Sequence, residues 1–316
     1  MIDIDTLAIP EMMNAVRLHE PRGPEGIRFE QLKTPRPGAG EVLIRVYAAG
    51  ITRDELEWPV NRLPAIPSYE FSGVVAGVGS GVNNVQIGDA VYALGDFDRD
   101  GAAAEYAVVR SQILAPKPQT LNYVESAAIP LAALSAWQGL FDHGNLEKGQ
   151  RVLIHGATGG VGHFAVQLAR WRGAHIIGTA SPRSIETARR LGAHEIIDYT
   201  SQRFEDVAGQ VDLVFDTAGG ERLARSPSVV RPSGRLVSVA GEPPQARATA
   251  AGITAVYFVV KPDREQLVKV AQLADSGELR PVVSELFSLA HARQAFERSL
   301  SRQGAGKIVL RIAGQQ

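Results

Sequence analysis

Apolar residues follow two different patterns along this chain of 316 residues. Up to about residue 118, short apolar runs are bounded by proline and glycine turns, which is typical of antiparallel β-structure. From residue 151 onward, apolar runs alternate with segments in which apolar residues recur every three or four positions. That alternation predicts βαβ units and a parallel sheet. Two prolines in Pro116-Lys117-Pro118 would break a continuing strand, so we place the joint between the two parts there.

The two patterns predict particular elements. In the first part, strands are predicted over residues 14–19, 27–32, 41–48, 69–78, 90–93 and 104–110. In the second part, they are predicted over residues 151–155, 174–179, 195–198, 212–216, 235–239, 253–259 and 307–312. Two of the expected helices cover residues 131–142 and 290–299.

Three glycines lie between the strand and the helix of the first βα unit in the second part of the chain. Gly156, Gly159 and Gly162 are spaced three apart, with a strand before them and a helical pattern after them. This is the context of the dinucleotide-binding fingerprint, in which backbone N–H groups and a helix N-terminus receive a pyrophosphate. A purely structural strand–helix turn is the alternative interpretation.

The end of the second strand indicates which dinucleotide is bound. NAD-binding folds have an acidic residue about 20 residues past the glycines, where it binds the ribose 2′-hydroxyl. Here the chain reads Ala180-Ser181-Pro182-Arg183 instead. A hydroxyl and a guanidinium suit a 2′-phosphate, so NADP(H) is preferred over NAD(H). Alternatively, Ser181 only caps the following helix and Arg183 is solvated.

Composition excludes several other functions. The formal net charge is −1, which argues against a nucleic-acid partner or an anionic membrane surface. The chain has no cysteine, which removes disulfides, thiol nucleophiles and Cys-ligated zinc. No run reaches the ~18 apolar residues of a membrane span. Residues 1–10 lack the basic start of a signal peptide, so a cytoplasmic location is expected.

Several motifs are typical of one enzyme family, and the chain resembles the zinc-free quinone oxidoreductase group of the medium-chain dehydrogenase/reductase superfamily. The matching motifs are Ala48-Ala49-Gly50-Ile51-Thr52, Ser68-Tyr69-Glu70-Phe71-Ser72-Gly73-Val74-Val75, Gly88-Asp89-Ala90-Val91, Gly101-Ala102-Ala103-Ala104-Glu105-Tyr106, the glycine turn, and Leu191-Gly192-Ala193-His194-Glu195-Ile196-Ile197-Asp198-Tyr199. The resemblance runs from about residue 13 to residue 313.

The resemblance implies an α/β fold with two domains and an active-site cleft between them. A GroES-like β-rich domain would comprise residues 1–118 and 281–316. A Rossmann domain with a doubly wound parallel sheet, residues 119–280, would be inserted between these two segments. Members commonly form homodimers through the Rossmann sheet. The apolar stretch 253–260 has no charge before Lys261, so we expect it to pair with its counterpart in a second copy.

The three positions that ligate zinc in zinc-dependent relatives correspond to Thr52, Tyr69 and Leu131 here, none of which is a useful zinc ligand. Oxidising a simple alcohol requires stabilisation of a developing alkoxide, which zinc provides. Hydride transfer to a quinone or an enone instead gives a delocalised oxyanion, for which hydrogen-bond donors suffice. We therefore expect an NADPH-dependent reductase of quinones or of the C=C bond of α,β-unsaturated carbonyls.

Three residues near the cleft are candidates for catalysis. The Tyr47 phenol could donate a hydrogen bond to a substrate oxygen, or it could be buried in the β-rich domain. Thr52 and Asp54 follow in the next turn. A desolvated, protonated Asp54 could act as a general acid, whereas as a solvated helix cap it would do nothing of the kind.

Cofactor contacts also carry over from the resemblance. The pyrophosphate turn would comprise Thr158, Gly159, Gly160 and Val161, and Tyr199 would lie near the adenosine phosphate. Further contacts are assigned to Ala218, Gly219, Ala240 and Gly241 at strand ends, and to Phe258 beside the nicotinamide. Ser135 matches a hydroxyl near the nicotinamide, although it could simply bond its own helix backbone.

Two other functions stay open. The chain could be an NADPH-binding structural or regulatory protein with little catalysis. It could also be an enoyl reductase dedicated to one biosynthetic pathway. The expected substrate loops, near residues 57–67 and 243–249, contain no motif that distinguishes these alternatives.

Overall fold

The computed structural model describes residues 9–20, 23–58, 62–301 and 304–313. Most of the N-terminal stretch used for the localisation prediction therefore lies outside the described residues, as do positions 59–61 of one expected substrate loop. None of the helices in the described ranges is both long and apolar enough to cross a membrane.

The first part of the chain is β-rich and mainly antiparallel. Its strands are β1 (Met12–Leu18), β2 (Ile27–Lys33), β3 (Glu41–Ile51), β4 (Glu70–Val78), β5 (Ala90–Leu94), β6 (Tyr106–Arg110) and β7 (Ala115–Pro116). Strands β1 and β2 pair with each other, whereas β3, β4, β5 and β7 follow one another in a larger sheet and β6 pairs with β3. Strand β4 begins one residue later than predicted because Ser68, with φ of 67°, turns the chain just before it.

The second part contains a six-stranded parallel sheet. Its strands are β8 (Arg151–His155), β9 (His175–Ala180), β10 (Glu195–Asp198), β11 (Val211–Asp216), β12 (Val230–Ser238) and β13 (Thr254–Tyr257). They lie in the order β10-β9-β8-β11-β12-β13. This is the doubly wound order in which the carboxyl ends of β8 and β11 flank the switch point, where such folds bind nucleotides.

The end of the chain returns to the first sheet. Strand β14 (Val283–Ser288) pairs in parallel with β15 (Lys307–Arg311), and β15 pairs antiparallel with β3. The two terminal parts of the chain therefore share one sheet, and the parallel sheet is inserted between them. This confirms the predicted fold class, while the domain limits 1–118 with 281–316 and 119–280 stay a prediction.

Helices cover the parallel sheet and support the first one. Their bounds are α1 (Tyr123–Ala127), α2 (Pro130–Trp137), α3 (Gly162–Arg172), α4 (Ile185–Leu191), α5 (Phe204–Val207), α6 (Gly220–Arg225), α7 (Gln245–Ala250), α8 (Arg264–Asp275) and α9 (Ala292–Leu300). Pro130 starts α2, since the first position of a helix has no use for an N–H donor. The predicted helix 131–142 is α2 continued by a π-helical segment, Gln138–His143.

The start of β12 and the whole of β14 differ from the sequence prediction for local reasons. Strand β12 starts at Val230, whereas the sequence predicts a start at Arg235. Pro232 and Gly234 are residues typical of a turn, but they lie inside the strand at a register shift. Strand β14 was missed altogether. It pairs on one side only, and its residues alternate between half-buried and exposed, so it gives a weak hydrophobic signal.

Candidate active site

Thr52, Glu70 and Lys307 meet where strands of the first sheet begin or end. Thr52 follows β3, Glu70 begins β4 and Lys307 begins β15. Lys307 Nζ lies 2.5 Å from Glu70 Oε1 and donates to Thr52 Oγ1 at 3.3 Å. Glu70 Oε2 accepts from the N–H of Leu131 at 2.8 Å, and a Cβ at Gly50 would lie 2.7 Å from the Glu70 side chain. Both charged groups are buried.

The same lysine lies against the glycine turn of the parallel sheet. A Cβ at Gly160 would come within 3.2 Å of Lys307 Cδ. The N–H of Gly306 donates to the carbonyl of Thr158 at 2.8 Å. The structure therefore brings the predicted residues Thr52, Thr158 and Gly160 together around Lys307. Because Thr52 Oγ1 accepts from an ammonium group, the hydroxyl can donate its own proton to another oxygen.

Glu55 is a buried carboxyl beside this cluster. Its Oε2 accepts from the N–H of Thr52 at 3.1 Å, and its Oε1 accepts from the N–H of Ser68 at 3.0 Å. Burial raises the pKa of Glu55 to about 8, although these two bonds and the Lys307 charge act in the opposite direction. The carboxyl is therefore largely uncharged at neutral pH, and it ties the Thr52 turn to the loop before β4.

Three aromatic side chains form a wall next to Glu55. The rings of Trp58 and Tyr69 are stacked with centroids 6.0 Å apart, and Phe97 meets each of them edge-on at 5.2 Å. Trp58 and Phe97 are partly exposed. Burial, with a smaller contribution from Glu55, raises the pKa of Tyr69 to about 12, so its phenol keeps its proton across the neutral range.

Sequence reasoning missed Glu55, Glu70 and Lys307 as site residues. Two of these residues could have been found from the sequence, because each is a charged residue within a run of apolar or small residues. The runs are Tyr69-Glu70-Phe71-Ser72-Gly73 and Gly306-Lys307-Ile308-Val309-Leu310. A charged residue that is buried by such a run requires a partner, and the structure supplies it.

The structure does not bring Tyr47 to this cluster, so its interpretation as a substrate donor gains no support here and stays a prediction. Tyr47 lies five positions before Thr52 along β3, which corresponds to roughly 16 Å at the rise of a strand. Its ring stacks on that of Tyr123, with centroids 4.4 Å apart, and Arg45 lies 5.7 Å from its centroid. The phenol therefore belongs to a half-buried aromatic pair in the β-rich domain.

Asp54 is exposed, so the prediction of a desolvated acid at this position is wrong. It occupies the N-cap position of the short 3-10 turn Glu55–Glu57, but its side chain accepts no capping bond. The desolvated carboxyl of this turn belongs to the next residue, Glu55.

The glycine turn has the shape that a dinucleotide requires. Gly156 has φ of 73°, in the left-handed region. A Cβ at Gly162 would collide with the carbonyl oxygen of Gly156. Among the described residues, the N–H groups of Thr158, Gly160 and Val161 donate to no protein acceptor. The turn therefore offers a cradle of backbone donors directly before α3, whose N-terminus carries partial positive charge.

The predicted 2′-phosphate residues lie together on the carboxyl edge of the sheet. Ser181 and Arg183 follow β9, and Tyr199 follows the neighbouring β10, where its N–H donates to the carbonyl of Ala180 at 3.3 Å. The Ser181 hydroxyl bonds that of Ser184 at 3.2 Å and caps no helix through its side chain. Arg183 is exposed.

The loops after β11 and β12 are held by a buried carboxylate. Asp216 accepts from the N–H groups of Ala218 and Gly219 and from the hydroxyl of Ser238 at 2.9 Å. Burial raises the pKa of Asp216. A Cβ at Gly219 would lie 3.0 Å from the carbonyl oxygen of Ala240, so the two loops touch just before Gly241. These N–H groups are used within the protein, so they do not form a donor cradle like that of the glycine turn.

Ser135 and Phe258, the two predicted nicotinamide contacts, both make contacts within the protein. The Ser135 hydroxyl donates to the carbonyl of Leu131 at 2.7 Å and is buried, as the backbone-bonding alternative expects. The Phe258 ring packs on His143 with centroids 4.4 Å apart and joins the core of the parallel-sheet domain. Their contact with a nicotinamide stays a prediction.

A buried histidine, His155, is linked to the glycine turn through the hydroxyl of Thr179. His155 bonds the hydroxyl of Thr179 at 3.3 Å and that of Ser226 at 3.1 Å. The Thr179 hydroxyl also accepts from the N–H of Gly156 at 3.1 Å. Burial, together with two nearby arginines, lowers the pKa of His155 to about 3, so the ring is neutral. This agrees with an ordinary core histidine.

A metal does not fit the site. Thr52 bonds Lys307, Tyr69 is part of the aromatic wall, and Leu131 has no donor atom in its side chain. No group of three or more His, Asp or Glu side chains within the described ranges is arranged to hold a metal ion. The donor set offered here is therefore a hydroxyl, a phenol and an ammonium–carboxylate pair.

Comparisons with known proteins agree with this architecture. A family model described as an alcohol dehydrogenase GroES-like domain matches residues 38–119, and one described as a zinc-binding dehydrogenase matches residues 191–310. The chain is 31% identical to a 2-methylene-furan-3-one reductase from Solanum lycopersicum and 30% identical to a chloroplastic NADPH-dependent alkenal/one oxidoreductase from Arabidopsis thaliana. Each alignment covers 96% of this chain and 80% of the relative. A quinone oxidoreductase structure from Coxiella burnetii superposes with a TM-score of 0.90 at 30% identity, covering 96% of this chain and 100% of that one.

Proposed function

The chain belongs to the medium-chain dehydrogenase/reductase family, in its quinone oxidoreductase-like group, and from this we propose that it reduces quinones or α,β-unsaturated carbonyls with NADPH. One observation carries the proposal. A hydroxyl polarised by a buried ammonium lies beside the dinucleotide turn, at the place where zinc-dependent relatives hold their metal. Oxidoreductases of this family bind a nicotinamide cofactor, and one relative is named as NADPH-dependent.

The glycine turn is suited to hold the pyrophosphate of this cofactor. The N–H groups of Thr158, Gly160 and Val161, which have no acceptor among the described residues, would donate hydrogen bonds to the phosphate oxygens. Ser181 and Arg183 would bind the 2′-phosphate. When bound, NADPH supplies the hydride for the reduction. The binding of its phosphates requires only backbone donors and cations that the chain already presents.

Thr52 is our candidate for the group that stabilises the reduced acceptor. As the acceptor is reduced, negative charge develops on its carbonyl oxygen as an enolate or phenolate. The Thr52 hydroxyl would donate to that oxygen while Lys307 donates to Thr52, and a solvent proton then completes the product. Glu70 pairs with the Lys307 ammonium and fixes it in place beside Thr52.

The aromatic wall fits the proposed acceptors. Trp58 and Phe97, which pack on the buried ring of Tyr69, offer partly exposed faces and edges on which a planar conjugated ring or enone would stack. A saturated alcohol gains less from such a surface. The wall therefore favours quinones and enones over simple alcohols.

The predicted dimer and location remain proposals. Strand β13 lies at the edge of the parallel sheet, next to the exposed side chains of Tyr257 and Val259. Pairing with its counterpart would complete this edge across a twofold axis. Light scattering at micromolar concentration tests the dimer, since a monomer mass contradicts it. A cytoplasmic location is tested by cell fractionation, with chloroplastic relatives as the contrasting case.

The proposed function is tested by following NADPH oxidation at 340 nm against a panel of quinones and enones. NADH is run in parallel, and Arg183→Glu serves as the cofactor-site variant. We expect turnover with NADPH, weaker use of NADH, and a raised KM for NADPH in the variant. Binding of NADPH without turnover of any acceptor would favour the non-catalytic alternative or a dedicated pathway substrate, and would contradict a general reductase.

A further inference from the structure

Arg222 lies over the face of Tyr199. The side chain comes from the first turn of α6, and its guanidinium carbon is 4.5 Å from the centroid of the Tyr199 ring. This distance is within the range of a cation–π contact. Tyr199 is 43% exposed, so the stacked pair borders open solvent instead of the core.

The charge of Arg222 is left without a protein partner in the described part of the chain. No carboxylate there lies within ion-pair distance of it, and its buried Nε has no hydrogen-bond acceptor. Arg225, one turn further along α6, differs in both respects. Its guanidinium lies 5.4 Å from the Phe204 ring and pairs with Glu205 at 2.9 Å. Because no carboxylate neutralises it, the Arg222 guanidinium keeps its charge available for an anion from outside the chain.

The stacked pair stands at the end of the fold where the adenosine half of a dinucleotide is bound. Tyr199 and Ser181 follow the neighbouring strands β10 and β9, which are in register at Asp198 and Ala180. The Ser226 hydroxyl donates to the carbonyl of Arg222 at 2.7 Å and lies 3.1 Å from Nε2 of His155 at the end of β8, so the start of α6 packs beside the glycine turn. Arg222 and Tyr199 therefore lie at the edge of the sheet that is formed by the carboxyl ends of its strands.

From this arrangement we infer that Arg222, held flat on Tyr199, is a second specificity-determining arginine that binds the 2′-phosphate of NADP(H) opposite Arg183. The inference rests on the proposed cofactor. A guanidinium that stacks through its face leaves its N–H edge free for bidentate bonds to phosphate oxygens. The 2′-phosphate would supply the anionic partner that Arg222 lacks among the described residues, and NADH has no phosphate at this position.

Calorimetric titration tests the inference without any need for turnover. The wild type, Arg222→Gln and Arg225→Gln are each titrated with NADPH, NADH, adenosine 2′,5′-bisphosphate and adenosine 5′-monophosphate. Arg225→Gln is the matched control, because it removes the same charge from the same helix but from an arginine that already has a carboxylate partner. Circular dichroism melts check that both variants fold.

We expect Arg222→Gln to weaken NADPH and the bisphosphate by about tenfold or more, as for the loss of a charge-assisted hydrogen bond, with NADH and the monophosphate nearly unchanged. Arg225→Gln should change neither class. Equal weakening of NADPH and NADH by Arg222→Gln would overturn the inference, and so would an equal effect of Arg225→Gln. A wild type that binds neither dinucleotide would instead refute the proposed function itself.

Discussion

Replacing Lys307 by methionine removes the cation that pairs with Glu70 and donates to Thr52. The side chains of Lys307 and Glu70 are 4% and 1% exposed, so neither can exchange its partner for bulk water. Breaking a buried ion pair by removing one member leaves an uncompensated charge and typically destabilises a protein by about 3–5 kcal/mol. At about 2.1 cal/mol/K of unfolding entropy per residue, this loss lowers the melting temperature by roughly 5–8 °C.

The loss of unfolding free energy in Lys307→Met should increase as pH rises. In Lys307→Met, the folded protein can neutralise Glu70 only by binding a proton that the unfolded chain does not bind near neutral pH. Stability falls with rising pH wherever the folded state holds the extra proton. The variant should therefore lie closer to the wild type at pH 5 than at pH 8.

The assay is a thermal or urea unfolding series at pH 5, 7 and 8 on the wild type, Lys307→Met, Glu70→Gln and the double variant. The double variant removes both charges, so it should lose less stability than the two single losses added together, with a coupling of about 2 kcal/mol or more. Lys269→Met is the control, since Lys269 is exposed on α8. A loss below about 1 kcal/mol in Lys307→Met, with no pH dependence and no coupling, would refute the buried-pair argument.

The remaining predictions concern the hydroxyl, the glycine turn and two buried histidines. Thr52→Val should lower kcat for enones by about 10²–10³, as for the loss of an oxyanion donor, while Thr52→Ser retains most activity; equal activity of both variants in steady-state assays would contradict the assigned role. Gly162→Ala places a Cβ against the carbonyl of Gly156, so fluorescence titration should show much weaker NADPH binding, and unchanged affinity would show that the cradle is not used. His155 and His163 are buried with pKa values lowered to about 3 and about 4, so the unfolded chain binds more protons and stability is lost as pH falls below about 6.5. Each histidine should account for about 2 kcal/mol of loss between pH 6.5 and pH 5 in urea unfolding. Protonation of Glu55 in the folded state, with its pKa raised to about 8, offsets about 2 kcal/mol of their combined loss, so stability should still fall over this range, and a rise would be inconsistent with neutral buried rings.

Most of the fold follows from the sequence because local patterns specify it. The strand–glycine–helix order around Gly156, Gly159 and Gly162 predicted the turn, and strands β8 and β10 were predicted with their observed bounds. The change from short β runs to alternating strands and helices separated the two sheets. Edge strand β14 was not predicted because it has little buried surface. The start of β12 was not predicted because that segment contains turn-forming residues.

The centre of the site could not be read from local patterns, because it is formed by contacts between distant parts of the chain. Lys307 and Thr52 are 255 residues apart in sequence, and only the antiparallel pairing of β15 with β3 brings them together. The sequence predicts a buried carboxyl at Asp54, but the buried carboxyl is that of Glu55. The direction of the short turn decides which of these two adjacent carboxyls is buried, and local patterns do not show that direction. Tyr47 fits the motif but lies too far back along its strand.

The most direct test of the central claim is to identify the products of a 2-alkenal, a quinone and a saturated aldehyde after incubation with NADPH, with and without a metal chelator. The proposed function predicts that the alkenal becomes the saturated aldehyde or the quinone becomes the hydroquinone. It also predicts that the saturated aldehyde is left unreduced and that the chelator has no effect. Reduction of the aldehydes to alcohols in a reaction that the chelator abolishes and added zinc restores would contradict the account.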